Sequence, residues 1–296
     1  MMVKTRSFPK YNYRAVWCNG KTLRFQHDDS KPILELEYPE FYDVKITDYC
    51  KGGCPWCYQD STKRGLHYEN CVEKINQFFG PMTANQRPFQ VAIGGGEPTS
   101  HPDFENILKA FHDLGICPNF TTNGMFGEEV YQWASDYCGG VAISTHPQLD
   151  KHWKKAVTGF YYDDMVTNLH IIISDKESVN RFRSIYEGYH DLVSYFVFLP
   201  HMAMGRGKEK VIEWDYLCET LKAVGASKSI AFGANFYPYL LKTPDRFKMS
   251  IYEPEILSKY LVLEDDGSIY KSSFSHQPIQ TGIFDEHTSK STTCIT

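Results

Sequence analysis

Apolar and polar positions alternate in β-like fashion over Tyr13–Cys18 and again over Lys21–Phe25, on either side of Asn19-Gly20. That pair best satisfies the positive φ angles of a two-residue hairpin turn, so residues 1–40 read as a β extension. From Tyr42 onward short β-branched runs alternate with amphipathic stretches, the signature of βα units around a parallel sheet. Strands are expected at 44–47, 90–93, 119–122, 141–145, 169–174 and 195–199. Among the helices, Phe104, Ile107, Leu108 and Phe111 keep the i, i+3, i+4, i+7 spacing, with Pro102 near the first turn and Gly115 as a stop. Val130, Trp133, Ala134 and Tyr137 repeat that stripe; Val179, Phe182, Ile185 and Tyr186 do so less regularly, and Leu217, Leu221 and Val224 close the series. Six strands with intervening helices fit a partial or full barrel and equally a doubly wound open sheet, because periodicity does not report closure.

Past residue 228 the pattern weakens. Residues 229–236 read as a further strand, 261–270 as a hairpin around Asp266-Gly267, and the Ser- and Thr-rich end as a mobile tail of ~20 residues. The expected division is 1–40, 41–228 and 229–296.

Composition narrows the function classes. With 42% hydrophobic and 23% charged residues, the 296-residue chain can build a sizeable core, which excludes disorder, collagen and coiled coil. Its 31 Lys and Arg stand against 36 Asp and Glu, a formal net charge of −5, so polymeric nucleic acid and anionic membranes are disfavoured partners. The N-terminus has no apolar signal core, and the longest apolar stretch, 192–199, is too short and too polar to cross a bilayer. Cys294 stands one position short of a prenylation box. A cytoplasmic protein is expected, and its nine cysteines, an odd count, read as reduced thiols rather than a disulfide framework.

Their spacing carries the chemistry. Cys50, Cys54 and Cys57 form C-x3-C-x2-C directly after the first barrel-type strand, on a loop containing Gly52 and Gly53. Thiolates this close on a flexible loop can converge on one soft metal centre, and three ligands leave one iron of a four-iron cubane open to a small molecule. Structural zinc is the alternative; it takes four ligands, for which Asp48, His67 or Cys71 are the available fourth, and it implies a non-catalytic, zinc-stabilised binding protein.

The triplet, with Trp56 just before its last cysteine, resembles the hallmark of radical S-adenosylmethionine (radical SAM) enzymes. A second element, Gly94-Gly95-Gly96-Glu97-Pro98, runs off the second strand and resembles that family's Gly-Gly-Glu element. It is not a dinucleotide fingerprint, since Thr99 replaces the last glycine. The resemblance covers roughly 42–200. It implies an α/β fold with a partial (β/α)6 TIM-like barrel, here with a short N-terminal β extension and a C-terminal extension. It implies one [4Fe-4S] cluster on Cys50, Cys54 and Cys57, S-adenosylmethionine as cofactor, and reductive cleavage to a 5′-deoxyadenosyl radical that abstracts a hydrogen atom from the substrate.

By the same resemblance Trp56, Gly95, Gly96 and Glu97 help seat the cofactor, and Tyr58 covers the cluster unless it is a packing residue. Asn123, Ser144 and Thr145, at the ends of strands three and four, hydrogen-bond the cofactor unless they serve turns and helix caps. His146 and His201 end strands four and six as candidate acids or bases, or as merely hydrogen-bonded histidines. Gly205-Arg206-Gly207 reads as a lid hinge or a plain surface loop. Cys18, Cys71, Cys117, Cys138, Cys218 and Cys294 are scattered, and Ser272 and Ser273 stand where peptide-modifying relatives place cysteine, so one cluster per chain is expected. A flavodoxin or ferredoxin is the expected reductant. A peptide is the leading substrate class, with a nucleotide or small metabolite as the alternative.

Overall fold

A computed structural model describes residues 3–18, 20–225, 230–242, 260–264, 266–271, 277–281 and 284. The chain opens with three antiparallel strands, β1 (Val3–Phe8), β2 (Tyr13–Cys18) and β3 (Lys21–Phe25). Cys18 faces Lys21 across the β2–β3 ladder, which leaves a two-residue turn with Gly20 at φ +76°; Asn19 lies outside the described residues. β1 was not apparent from the alternation. One face of β2, made by Tyr13, Ala15 and Trp17, is buried with Leu36, Phe89 and Cys117. Phe89 precedes one barrel strand and Cys117 begins the next, so the small sheet caps the N-terminal end of the barrel.

The second sheet holds β4 (Phe41–Lys45), β5 (Gln90–Gly94), β6 (Cys117–Thr122), β7 (Gly140–Ser144), β8 (Thr167–Ile173), β9 (Tyr195–Pro200), β10 (Ile230–Phe232), β11 (Tyr260–Leu263) and β12 (Ile269–Tyr270). Helices α1 (Cys71–Phe79), α2 (Phe104–Asp113), α3 (Glu129–Tyr137), α4 (Asp150–Tyr162), α5 (Lys176–Tyr189), α6 (Trp214–Ala223) and α7 (Tyr237–Lys242) complete the chain order. The strand order is β10-β9-β8-β7-β6-β5-β4-β11-β12, with β4 to β10 parallel in sequence order. A doubly wound sheet would reverse direction at its middle; this one does not. β10 and β12 form its two edges, so among the described residues the barrel is partial and open.

Helix and strand faces meet as the stripes require. Phe104, Ile107, Leu108 and Phe111 of α2 are all buried, against Val91, Ile93 and Phe120 on one face of the sheet. Gly115 takes φ +70° after α2, the left-handed position that stops a helix. α1 and α4 add to the expected helices. α4 buries Trp153, Ala156, Val157 and Phe160, the same spacing as α2, and α1 buries Cys71, Ile75 and Phe79 at one-turn intervals. The further strand expected over 229–236 is shorter, Ile230–Phe232, because the chain turns into a 3-10 helix at Ala234–Phe236; the hairpin at 260–270 is present, with β11 joining the sheet beside β4. Ser272, Ser273, Cys294 and the tail after 284 lie outside the described residues.

The inner face differs from the helix-covered one. Asn119 and Thr121 of β6, Ser144 of β7, and Asn168 and His170 of β8 occupy the half-buried alternate positions. A polar lumen therefore opens towards the C-terminal strand ends, where the candidate chemistry stands.

Candidate functional site

Thr47 leads from β4 into the cysteine loop and is tied to both sides of it. Its hydroxyl donates to Leu66 O at 3.1 Å and contacts His67 Nδ1 at 3.0 Å, and it accepts from Tyr49 N at 2.9 Å. Asp48 N donates to Leu66 O and Cys50 N to Thr62 O, so the loop folds back as a hairpin rather than hanging free. The Gly-Gly-Glu strand end is zipped to the same stem: Gly96 N donates to Thr47 O at 2.7 Å and Glu97 N to Tyr49 O at 2.8 Å. A Cβ on Gly95 would stand 2.2 Å from Thr47 O and one on Gly96 2.1 Å from Tyr49 O, and Gly95 has φ +113°. These glycines let backbone lie on backbone. Gly94 has open space around it.

Cys54 is buried, with Cys50 and Cys57 half-buried. Three N–H groups approach the sulfurs: Gly52 N to Cys50 Sγ at 3.3 Å, Asn123 Nδ2 to the same sulfur at 3.6 Å, and Gln148 Nε2 to Cys54 Sγ at 3.0 Å. Burial, followed by the neighbouring Cys50 and Cys57, pushes the Cys54 thiol up to about 12, against the Gln148 hydrogen bond and Arg206. Burial likewise raises Cys50, so a cation must displace protons to bind here. Donors aimed at sulfur are what a cluster's thiolates use to spread charge.

Zinc fits less well. It needs its donors around one point, and among the described residues no three His, Cys, Asp or Glu side chains are so arranged. The fourth-ligand candidates are engaged: Asp48 with Lys45 and Tyr68, His67 with Thr47, and Cys71 with Tyr68 O. In a cubane each thiolate binds a different iron, so the sulfurs need not converge on one.

Glu97 is 2% exposed and collects donors from two strand ends. Its Oε1 accepts from the Thr99 and Thr122 hydroxyls at 2.6 and 2.8 Å, and Oε2 from Asn123 N at 2.8 Å. Burial raises its pKa while those donors lower it. Glu97 thus orients Asn123, whose side chain reaches Cys50. Just past the end of β7, the Thr145 hydroxyl donates to His170 O at 3.1 Å. Ser144 sits half-buried on the inner face.

Trp56 lies 5.9 Å from the His146 ring, and its Nε1 is buried without a partner. Gln59 Oε1 and Ser61 Oγ, in the same loop, are likewise buried and unpartnered. These polar atoms, gathered in one loop, fit a group that hydrogen-bonds there. The Tyr58 hydroxyl accepts from Gln59 Nε2 at 2.7 Å. Burial first, then Arg181 and His170, lower His146 to about 4, so a neutral imidazole faces Trp56. His201 turns away, with Nε2 2.7 Å from Lys208 O. Gln148, Asn168 and His170 join the site without having been singled out, and Arg206, read above only as part of a lid hinge or surface loop, binds the cysteine loop directly. For Asn168 and His170 the available signal is a polar position alternating with buried apolar ones; for Gln148 there is none, and for Arg206 only its flanking glycines, because the partners lie 94 and 152 positions away. A cleft of about 470 Å³ also opens beside the loop, between Tyr49, Lys51, Thr99 and His152.

Residues 44–146 match the Radical SAM superfamily model. The chain is 28% identical over 135 residues to GTP 3',8-cyclase of Photorhabdus laumondii, covering 44% of this chain and 41% of that protein. It is 31% identical over 116 residues to mycofactocin maturase MftC of Mycobacterium ulcerans, covering 37% and 30%. Among solved structures, SuiB of Streptococcus suis bound to its precursor peptide SuiA aligns with a TM-score of 0.65 at 15% identity, covering 84% of this chain and 63% of SuiB. The chain therefore spans less than two thirds of each of these three relatives. No helix among the described residues is long and apolar enough to cross a membrane. The cysteine triplet, the glycine-glutamate strand end zipped to it and strands β5 to β7 all lie within the 44–146 stretch that matches the Radical SAM superfamily model, on a partial barrel similar to that of SuiB.

Proposed function

We propose that this chain is a radical SAM enzyme that modifies a peptide. The observation that carries the reading is the cysteine loop itself: three thiols on a backbone zipped to Gly96 and Glu97, with N–H donors already directed at Cys50 and Cys54. Cys50, Cys54 and Cys57 would hold a [4Fe-4S] cluster, leaving one iron for S-adenosylmethionine. When bound and reduced by a flavodoxin or ferredoxin, that group supplies the electron for cleavage to a 5′-deoxyadenosyl radical.

The chain's own residues bind and orient. Glu97 holds Asn123 against Cys50, and Trp56 presents an indole N–H to whatever acceptor enters beside it. Ser144, Asn168 and His170 make the lumen polar, which suits the hydrogen-bonding groups of cofactor and substrate. His146, kept neutral, can accept or donate a hydrogen bond in the mouth without carrying charge into it. Support for a peptide comes from the likeness to SuiB, captured with its precursor peptide. The match to GTP 3',8-cyclase supports a second reading, a nucleotide substrate.

The test is anaerobic reconstitution with iron and sulfide. Expected are about four irons per chain and 5′-deoxyadenosine on addition of S-adenosylmethionine and dithionite. Both should be lost in Cys50→Ala, Cys54→Ala and Cys57→Ala. Zinc without cleavage, or full iron in the variants, overturns the assignment. Stimulation of 5′-deoxyadenosine release by a pool of synthetic peptides supports the peptide reading, and stimulation by GTP alone replaces it with the nucleotide one.

A further inference from the structure

Arg206, in the segment after β9, reaches across to the cysteine loop with four hydrogen bonds. Its backbone N–H donates to Cys57 O at 2.9 Å and its Nε to Cys54 O at 3.0 Å. The two ends of its guanidinium bind Asp60 Oδ1 at 2.6 Å and Ser61 O at 2.9 Å. All four acceptors fall within 54–61. Cys54 O and Cys57 O already close turns inside the loop by accepting from Cys57 N and Asp60 N, so Arg206 takes up further acceptor capacity of those carbonyls.

The flanking glycines are shaped to this approach. Gly205 has φ +55°, and a Cβ there would stand 2.5 Å from the carbonyl oxygens of both Cys57 and Tyr58; on Gly207 it would stand 2.1 Å from Met202 O. Asp60 is itself a non-glycine residue at φ +55°, a strained conformation that its neighbours must hold in place, and its carboxylate is one of the groups Arg206 binds. Only a planar fork with spaced donors bridges a carboxylate and separate carbonyls at once; a lysine brings a comparable charge but not that geometry.

We propose that Arg206 is a positioning residue of the cysteine site: it locks residues 54–61 into the conformation that presents Cys54 and Cys57, and sets a fixed positive charge beside them. The second half of the test rests on the proposed cluster; the first does not. In the iron-free chain, amide hydrogen exchange over 50–62 should run about tenfold faster in Arg206→Gln, the counterpart of losing charge-assisted hydrogen bonds, with exchange in β5 and β8 unchanged. Arg206→Lys should not restore it.

After reconstitution, Arg206→Gln should surrender iron to a chelator faster than wild type and show a lower cluster midpoint potential, and Arg206→Lys should recover the potential but not the retention. Should Arg206→Gln fail to fold, Asp60→Asn, at an exposed carboxylate that makes one of the four contacts, carries the same exchange measurement with a smaller increase expected. Unchanged exchange over 50–62 overturns the proposal whatever the iron content. Wild type that takes up no iron overturns the proposed function instead, and the exchange result then decides Arg206 alone.

Discussion

Glu97 sits beneath the mouth as an acceptor shared by two strand ends. Both oxygens face N–H or O–H donors from Thr99, Thr122 and Asn123, so an amide at this position must turn a donor towards another donor. Glu97→Gln should therefore lower stability by about 2 kcal/mol, the cost of an unsatisfied buried group, read as a fall in denaturant midpoint at unchanged slope. An unchanged midpoint would show that the network is dispensable. Glu97 and Asn123 were legible because each ends a strand in a recognisable string. The sequence left cofactor binding and turn or cap chemistry open for Thr145; its hydroxyl donates to His170 O instead, a contact to β8 that neither reading named. Trp56 stands out in the sequence by its place before Cys57, but only the fold reveals that its indole N–H is buried without an acceptor.

At the scale of elements, the end of β5 is joined to the stem of the cysteine loop by Gly96 N to Thr47 O and Glu97 N to Tyr49 O. Gly96→Ala would force its Cβ onto Tyr49 O, breaking the Glu97 N to Tyr49 O bond at 2.8 Å. The expected result is a loss of about 2 kcal/mol in stability together with reduced iron uptake on reconstitution. Gly94→Ala, where nothing lies within 4 Å, should leave iron uptake near wild type. Equal uptake in the two variants would detach the glycines from the loop. The helices show why some elements are readable and others are not. In α2 four apolar residues stand out at regular spacing, whereas in α4 the same spacing is diluted by Lys154, Lys155 and Gly159, and α1 buries only three residues.

For the whole molecule, one set of contacts and one titration matter. Arg6, 1% exposed, donates to the carbonyls of Tyr38, Pro39, Asn85 and Gln86, fastening the N-terminal sheet under the barrel. Arg6→Met fills similar space but leaves those carbonyls without their donor, and should cost about 3 kcal/mol and speed proteolysis within residues 3–25; cleavage as slow as in wild type would mean the aromatic packing of Tyr13 and Trp17 suffices. The second effect is acid sensitivity. His146 and His170 are lowered from 6.5 to about 4, by burial first in each case. Below their ordinary range the unfolded chain takes up protons that the folded chain does not, so stability should fall as pH drops from 6.5 towards 4. Replacing His170 by Asn should flatten that slope in thermal melts across the window; an unaltered slope would assign the acid sensitivity elsewhere.

Local spacing was enough to point to the candidate chemistry and to most of the βα element order from β4 onward. Three cysteines within eight residues, a glycine-glutamate string at a strand end and the periodic stripes of α2, α3 and α5 each depend on residues close together in the chain, and a sequence displays these directly. Tertiary structure decided that the sheet stays open with β10 and β12 at its edges, that residues 3–25 dock under the barrel rather than over its mouth, and that Arg206 grips a loop 145 or more positions away. These features arise from contacts between segments far apart in the chain, whose pairing is selected by the packing of the whole and leaves no periodicity in either partner alone.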